Sequence, residues 1–190
     1  MIDKVWDYIN QPASNSLLHY NDGSYIFDIP SFNKGAIREA ILNACCHRSM
    51  LIQSDVVIKQ YPDSITITNA GGFPSGVDMN NILTVNSVPR SKLMSEILQK
   101  AGLVERSGQG VDKMFYNCIM EGKALPDYSG TDSYQVSLTF KVPIFDTAFV
   151  IFVRKVQDNR AAAEQLNVFE LLALYKMAMR DYEGLDEKIL

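Results

Sequence analysis

Cysteine is scarce in this sequence, with three in 190 residues, and their placement excludes more than their number does. Cys45 and Cys46 are adjacent and Cys118 lies far away, so neither the paired spacing of a zinc site nor a disulfide framework is present. Reduced thiols in a cytoplasmic protein are the expected state. A surplus of cations is missing too: 18 Lys and Arg stand against 22 Asp and Glu, for a formal charge of -4 and a pI near 5.2. That balance offers little to neutralise a phosphate backbone, so DNA is expected as a partner only through attached domains. Long apolar runs are absent. The most apolar one, TAFVIFV from Thr147 to Val153, falls far short of the roughly 20 residues a membrane helix needs. The amino end, MIDKVWDYIN, is acidic and amphipathic and has no basic stretch leading into an apolar run, so no signal peptide is read there. No G-x-x-x-x-G-K-[ST] loop occurs, which leaves a P-loop motor for strand separation without a basis. Internal repeats and low-complexity segments are also lacking.

What is present is ordinary globular material: 47% apolar and 21% charged residues, enough for one domain with a real core and a tail. Val5, Trp6 and Ile9 share one side of a short amino-terminal helix. GSYIFDIP reads as a strand stopped by Pro30, and a helix follows from about residue 33 or 34 to His47. DVVIKQYPDSITITN is a hairpin turning at Tyr61-Pro62-Asp63-Ser64, and its second strand empties into the loop NAGGFPSG. SKLMSEILQKAG is a helix ending at Gly102, and SGQG opens another, VDKMFYNCIMEG. Tyr134, Val136, Leu138, Phe140 and Val142 alternate with polar residues, as a half-buried antiparallel strand requires. Residues 144–156 fit strand or helix, and 161–182 are helical in pattern. Strands in hairpins and separated runs, with helices between them to cover one face, predict an α+β two-layer sandwich.

Within AIREAILNACCHRS, residues Glu39, Asn43 and His47 recur every four positions and drift by only about 80° around a helix. Ile37, Ala40, Ile41 and Ala44 form the opposite, packing side. The column is either the solvated edge of an amphipathic helix or half of a nucleotide site. In the second reading the Asn43 amide oxygen is a hard, neutral Mg²⁺ ligand beside substrate phosphates, and Glu39 one turn away orients and deprotonates an attacking water. Two downstream loops offer the other half. Gly71, Gly72 and Gly76 permit close backbone approach, and Asn69 before them can read a base edge. Gly108 and Gly110 precede a predicted helix, whose free amides attract phosphate, with Lys113 as a point charge.

These stretches, REAILNACCHRS, ITITNAGGFPSG, LVERSGQGVDKM and the strand YQVSLTF, resemble the divergent ATP-binding domains of the gyrase, chaperone, histidine-kinase and MutL superfamily, in the branch related to the C-terminus of RecG-like ATP-dependent DNA helicases. The resemblance covers residues 30–142. It implies a Bergerat-type fold, a mixed, mostly antiparallel sheet covered on one face by helices, that holds ATP between the first motif helix and a mobile glycine loop, with residues 1–145 as the ATP-binding domain and 146–190 as a helical tail that begins a following domain. By that analogy Glu39 is the general base, Asn43 binds Mg, Asn69 takes the adenine-reading position with Gly71 beside it, and Gly108 and Gly110 form the phosphate lid. Arg90, followed here by Ser91 where the branch has asparagine, is a candidate phosphate contact. His47 fits the pattern as a structural residue. The superfamily has aspartate at position 69 and glycine at 73, where this chain has Asn69 and Phe73. Relatives in the branch often carry an upstream DNA-associated domain and a downstream winged helix, and this chain is read as starting after the one and ending within the other. The function so implied is a Mg-ATP-dependent switch with slow hydrolysis. The alternative is a non-hydrolysing scaffold in a transcriptional regulator. VFELLALYKMAM, from Val168 to Met179, is apolar enough to pair two copies or to cover the parent domain.

Overall fold

The computed structural model describes residues 2–21, 23, 26–85, 89–103 and 110–179. Gly108 and the end of the tail from residue 180 therefore lie outside the described residues. Along the chain run helix α1 (Ile2–Ile9), strands β1 (Leu17–Asn21) and β2 (Ile26–Pro30), helix α2 (Lys34–His47), and strands β3 (Val57–Gln60) and β4 (Ser64–Ala70). Helices α3 (Lys92–Lys100) and α4 (Gly110–Met120), strand β5 (Gln135–Lys141), and helices α5 (Thr147–Asp158) and α6 (Val168–Ala178) complete it.

The fold is α+β, with all described strand pairs antiparallel. They form two sheets: the β1-β2 hairpin, and a three-stranded sheet in the order β3-β4-β5. Alternation decides which face of the larger sheet is covered. Ile65 and Ile67 on β4 and Leu138 and Phe140 on β5 are buried, while Thr66 and Thr68 face the other way. Onto the buried face come α1, α2 and α4, with Trp6, Ile37, Ile41, Met114 and Phe115 in one apolar cluster. Alanines 36, 40 and 44 on α2 let α4 and β4 approach closely.

Three sequence expectations change in detail. Strand β1 was not anticipated, although Asn21 to Ser24 reads N-D-G-S, a strong two-strand turn signal. Gly23 sits there at φ 84°, and its amide donates to Asn21 Oδ1 at 2.9 Å. The ambiguous stretch 144–156 resolves as helix α5, started by Asp146, whose Oδ1 accepts from the Ala148 and Phe149 amides. The tail is broken, with a short 3-10 turn over Ala162–Glu164 before α6. Helix α6 begins at a capping box: Asn167 accepts from the Phe169 and Glu170 amides, and Glu170 reaches back to the Asn167 amide. Leu171 and Tyr175 of α6 are buried with Phe149, Val153 and Ile119, and Val168 joins the main cluster, while Phe169, Met177 and Met179 of the same stretch are exposed.

Candidate functional site

Helix α2 is the spine of the site. Asn33 caps it, its Oδ1 accepting from the Ala36 amide at 3.0 Å. Its column is not a solvated edge, because Glu39, Asn43 and His47 are all only partly exposed. Glu39 and Asn43 face the start of α4. The point where a Cβ would stand on Gly110 lies 2.8 Å from Glu39 Oε2, and 3.5 and 3.7 Å from Asn43 Nδ2 and Oδ1. A side chain there would press on the carboxylate, which would have to shift to make room. The amino end of an 11-residue helix, with its outward-pointing amides, thus stands directly over a carboxylate and a carboxamide one turn apart. Lys113 lies in the same first turn, as does Asp112, whose carboxyl is pushed up from its ordinary value by burial.

One turn further along α2, about 6 Å away, the second half of the site begins. The Ser49 amide donates to Ala70 O at 2.8 Å, tying the exit of α2 to the end of β4. The Ser91 amide reaches Cys46 O at 3.3 Å, which lays the Arg90-Ser91 segment over the same helix end. Arg90 donates from Nη2 to Gly72 O at 2.8 Å, and a Cβ on Gly71 would stand 1.8 Å from its Nη1. The guanidinium is therefore a latch on the glycine loop. It also lies near His47, whose pKa is lowered first by burial and then by the Arg90 charge, leaving a neutral imidazole near pH 7. The neighbouring Cys46 thiol is pushed up to about 11 by burial and by the charges of Cys45 and Glu39, so it stays protonated.

The glycine loop serves backbone contacts before any ligand. Gly71 and Gly72 donate to Tyr134 O and Ser133 O at 2.6 and 3.2 Å, which prolongs the β4-β5 ladder. A Cβ on Gly72 would meet Asp132 O at 2.3 Å. Gly76, at φ 82° with nothing within 4 Å of a Cβ, is a turn glycine whose carbonyl accepts from Asn81 Nδ2. Phe73 rests on Tyr128, ring centroids 5.7 Å apart, anchoring the loop to the core. Asn69 has the parity of Ile65 and Ile67 on β4 and is 4% exposed, with Nδ2 3.3 Å from Ala70 O.

Sequence reasoning missed a buried ionic knot beneath the site. Lys123 and Glu121, 4% and 5% exposed, pair at 2.6 Å. Lys123 Nζ also donates to Pro30 O and to Ser31 O, the latter at 3.0 Å. Glu121 accepts from Asn33 Nδ2. The only hint in sequence is a pair of charges in EGKALP between two apolar segments, which by pattern alone is surface.

Among the described residues, no three His, Cys, Asp or Glu side chains are grouped so as to hold a metal. The residues present fit Mg²⁺ in its usual nucleotide-bound form, where one protein oxygen such as that of Asn43 suffices beside phosphate oxygens and waters.

Sheet, helical layer and spine define an α+β ATPase-like fold. Residues 53–140 match the family described as "Putative ATP-dependent DNA helicase recG C-terminal", and this stretch is similar to a RecG-like ATPase-related domain. The match begins beyond α2, so Glu39 and Asn43 stand outside it. The fold is also that of the DIP2311 protein from Corynebacterium diphtheriae, whose crystal structure superposes at a TM-score of 0.77 with 23% identity over 94% of this chain. The chain spans 36% of that protein. No curated protein matches the chain. No helix among the described residues is long and apolar enough to cross a membrane.

Proposed function

We propose that this chain is a Mg-ATP-binding module that hydrolyses ATP slowly and works as a nucleotide switch on attached domains of a cytoplasmic, DNA-related regulatory or helicase-family protein. One observation carries the reading: the amino end of α4 at Gly110 stands against Glu39 and Asn43, so near that a Cβ on the glycine would lie 2.8 Å from Glu39 Oε2. Amides at that helix end suit phosphate oxygens, and Lys113 in the first turn adds a cation. Asn43 offers the carboxamide oxygen for Mg²⁺, which when bound with the nucleotide supplies charge neutralisation at the phosphates. Glu39, one turn away, accepts the proton of a water aimed at the terminal phosphate. Asn69, at the end of β4 on the helix-facing side, takes the adenine edge through its carboxamide, next to Gly71. Arg90 acts here through the loop it latches, with Gly72 and Gly76 shaping that loop; Gly108 completes the phosphate lid with Gly110. In this reading residues 1–145 form the nucleotide domain and 146–190 the tail that passes its state onward.

The test is thermal unfolding of the full chain with and without Mg-ATP. A ligand at about a hundred times its Kd stabilises by about 2.7 kcal/mol, roughly 5–10 °C for a chain of this size. Asn43→Ala should abolish that shift, while Glu39→Ala should keep it and lose turnover. Unchanged melting of the parent protein at millimolar Mg-ATP would refute the reading.

A further inference from the structure

The buried Glu121-Lys123 pair belongs to none of the groups given a chemical role above, yet the side-chain hydrogen bonds it makes to other segments converge on the start of α2. The Lys123 ammonium has three protons and three acceptors: Glu121 Oε2, Pro30 O and Ser31 O. Both carbonyls belong to the residues that lead into α2. Glu121 follows directly on α4 and spends its second oxygen on Asn33 Nδ2. Asn33 in turn spends its own oxygen on the α2 cap. One continuous chain of hydrogen bonds thus runs from the carboxyl end of α4 to the first turn of α2.

The two helices also come close to each other beside that knot. A Cβ on Gly35 would stand 3.2 Å from both Asn117 Nδ2 on α4 and Asn33 Oδ1. They run antiparallel, since Asn33 meets Glu121 while Glu39 and Asn43 meet Gly110. A helix slipping by one residue moves about 1.5 Å along its axis. Such a slip would carry the carboxylate and the carboxamide off the Gly110 amide end. A buried ion pair contributes little net stability compared with an apolar replacement, because desolvation offsets its attraction. Its effect is geometric, since charge and donor counts are satisfied in one register only.

We infer that Glu121, Lys123 and Asn33 are positioning residues of the nucleotide site, a clamp that fixes the register of α2 on α4. This rests on the Mg-ATP reading above. The critical variant is Asn33→Ser, which keeps a good helix cap but loses the amide donated to Glu121. Glu121→Gln is the second variant, in case the first folds poorly. The readouts are the melting temperature without nucleotide, the melting shift with Mg-ATP, and kcat and KM for ATP hydrolysis. A displacement of about 1 Å in a reacting group costs roughly a hundredfold in rate. The clamp therefore predicts that one or both variants melt within a few degrees of the parent but lose about tenfold or more in nucleotide affinity or turnover. If both variants lose only melting temperature and keep affinity and turnover, the pair is structural and the inference falls while the nucleotide reading stands. If the parent protein itself gives no Mg-ATP shift, both fall together.

Discussion

Gly71 and Gly76 have nearly the same backbone, φ 84° and 82°, but opposite surroundings, so replacing each by alanine separates backbone strain from crowding. At Gly76 a Cβ meets nothing within 4 Å, and the cost is that of an L-residue in the left-handed region, about 1–2 kcal/mol. At Gly71 the same strain applies. In addition the new Cβ would stand 1.8 Å from Arg90 Nη1 and 2.9 Å from Ser49 Cβ. The guanidinium must leave, and its bond to Gly72 O goes with it, a hydrogen bond of a charged group contributing about 1.5–3 kcal/mol in a partly buried place. Gly71→Ala should therefore destabilise by about 2.5–5 kcal/mol, and Gly76→Ala by no more than about 2 kcal/mol. Urea unfolding of both variants measures the difference. Adding Arg90→Ala to each background completes a cycle, in which the excess cost of Gly71→Ala should shrink once the arginine side chain is gone. Equal costs at the two positions, or an excess indifferent to Arg90, would refute the latch.

Lys123→Met leaves Glu121 buried without its cation and should cost about 3–5 kcal/mol, read as a lower urea midpoint at unchanged slope. His47 has a folded pKa below its unfolded value, so the unfolded chain binds the extra proton first; its contribution to stability is complete above the unfolded pKa of about 6.5 and is lost as pH falls through the folded value. His47→Gln should flatten that part of the stability profile below about pH 6.5, measured by urea midpoints across the acidic range. Gly110→Ala pushes the new methyl against Glu39 Oε2; it should change nucleotide-free stability by about 1 kcal/mol or less, because alanine is also the better helix former, while suppressing the Mg-ATP melting shift.

Local patterns revealed most of the elements, and long-range contacts supplied what they could not. The three-residue column was legible because helical spacing is a property of neighbours in sequence, and its half-buried setting follows from α4 packing against α2. The purpose of Gly71 and Gly72 was not legible. Their missing side chains make room for Arg90, 18 residues beyond Gly72, and for the Asp132 carbonyl, and neither neighbour leaves a mark in NAGGFPSG. Phe73 is a departure from the superfamily pattern until its ring is found on Tyr128. Lys123 and Glu121 were hidden for a further reason: charge in a sequence reads as surface, and only the fold brings the Pro30 and Ser31 carbonyls within reach of the ammonium. In α5 the run TAFVIFV has too short an apolar stretch to separate strand from helix, and the Asp146 cap decides it.

The account stands or falls on whether the α2 column and the amino end of α4 bind a metal-nucleotide complex together. Isothermal titration of the full chain with ATP, run with and without Mg²⁺ and repeated with Asn43→Ala, measures this directly. Saturable binding that needs both Mg²⁺ and the Asn43 side chain is the predicted result. No binding at millimolar ATP, or binding indifferent to both the metal and the carboxamide, would contradict it.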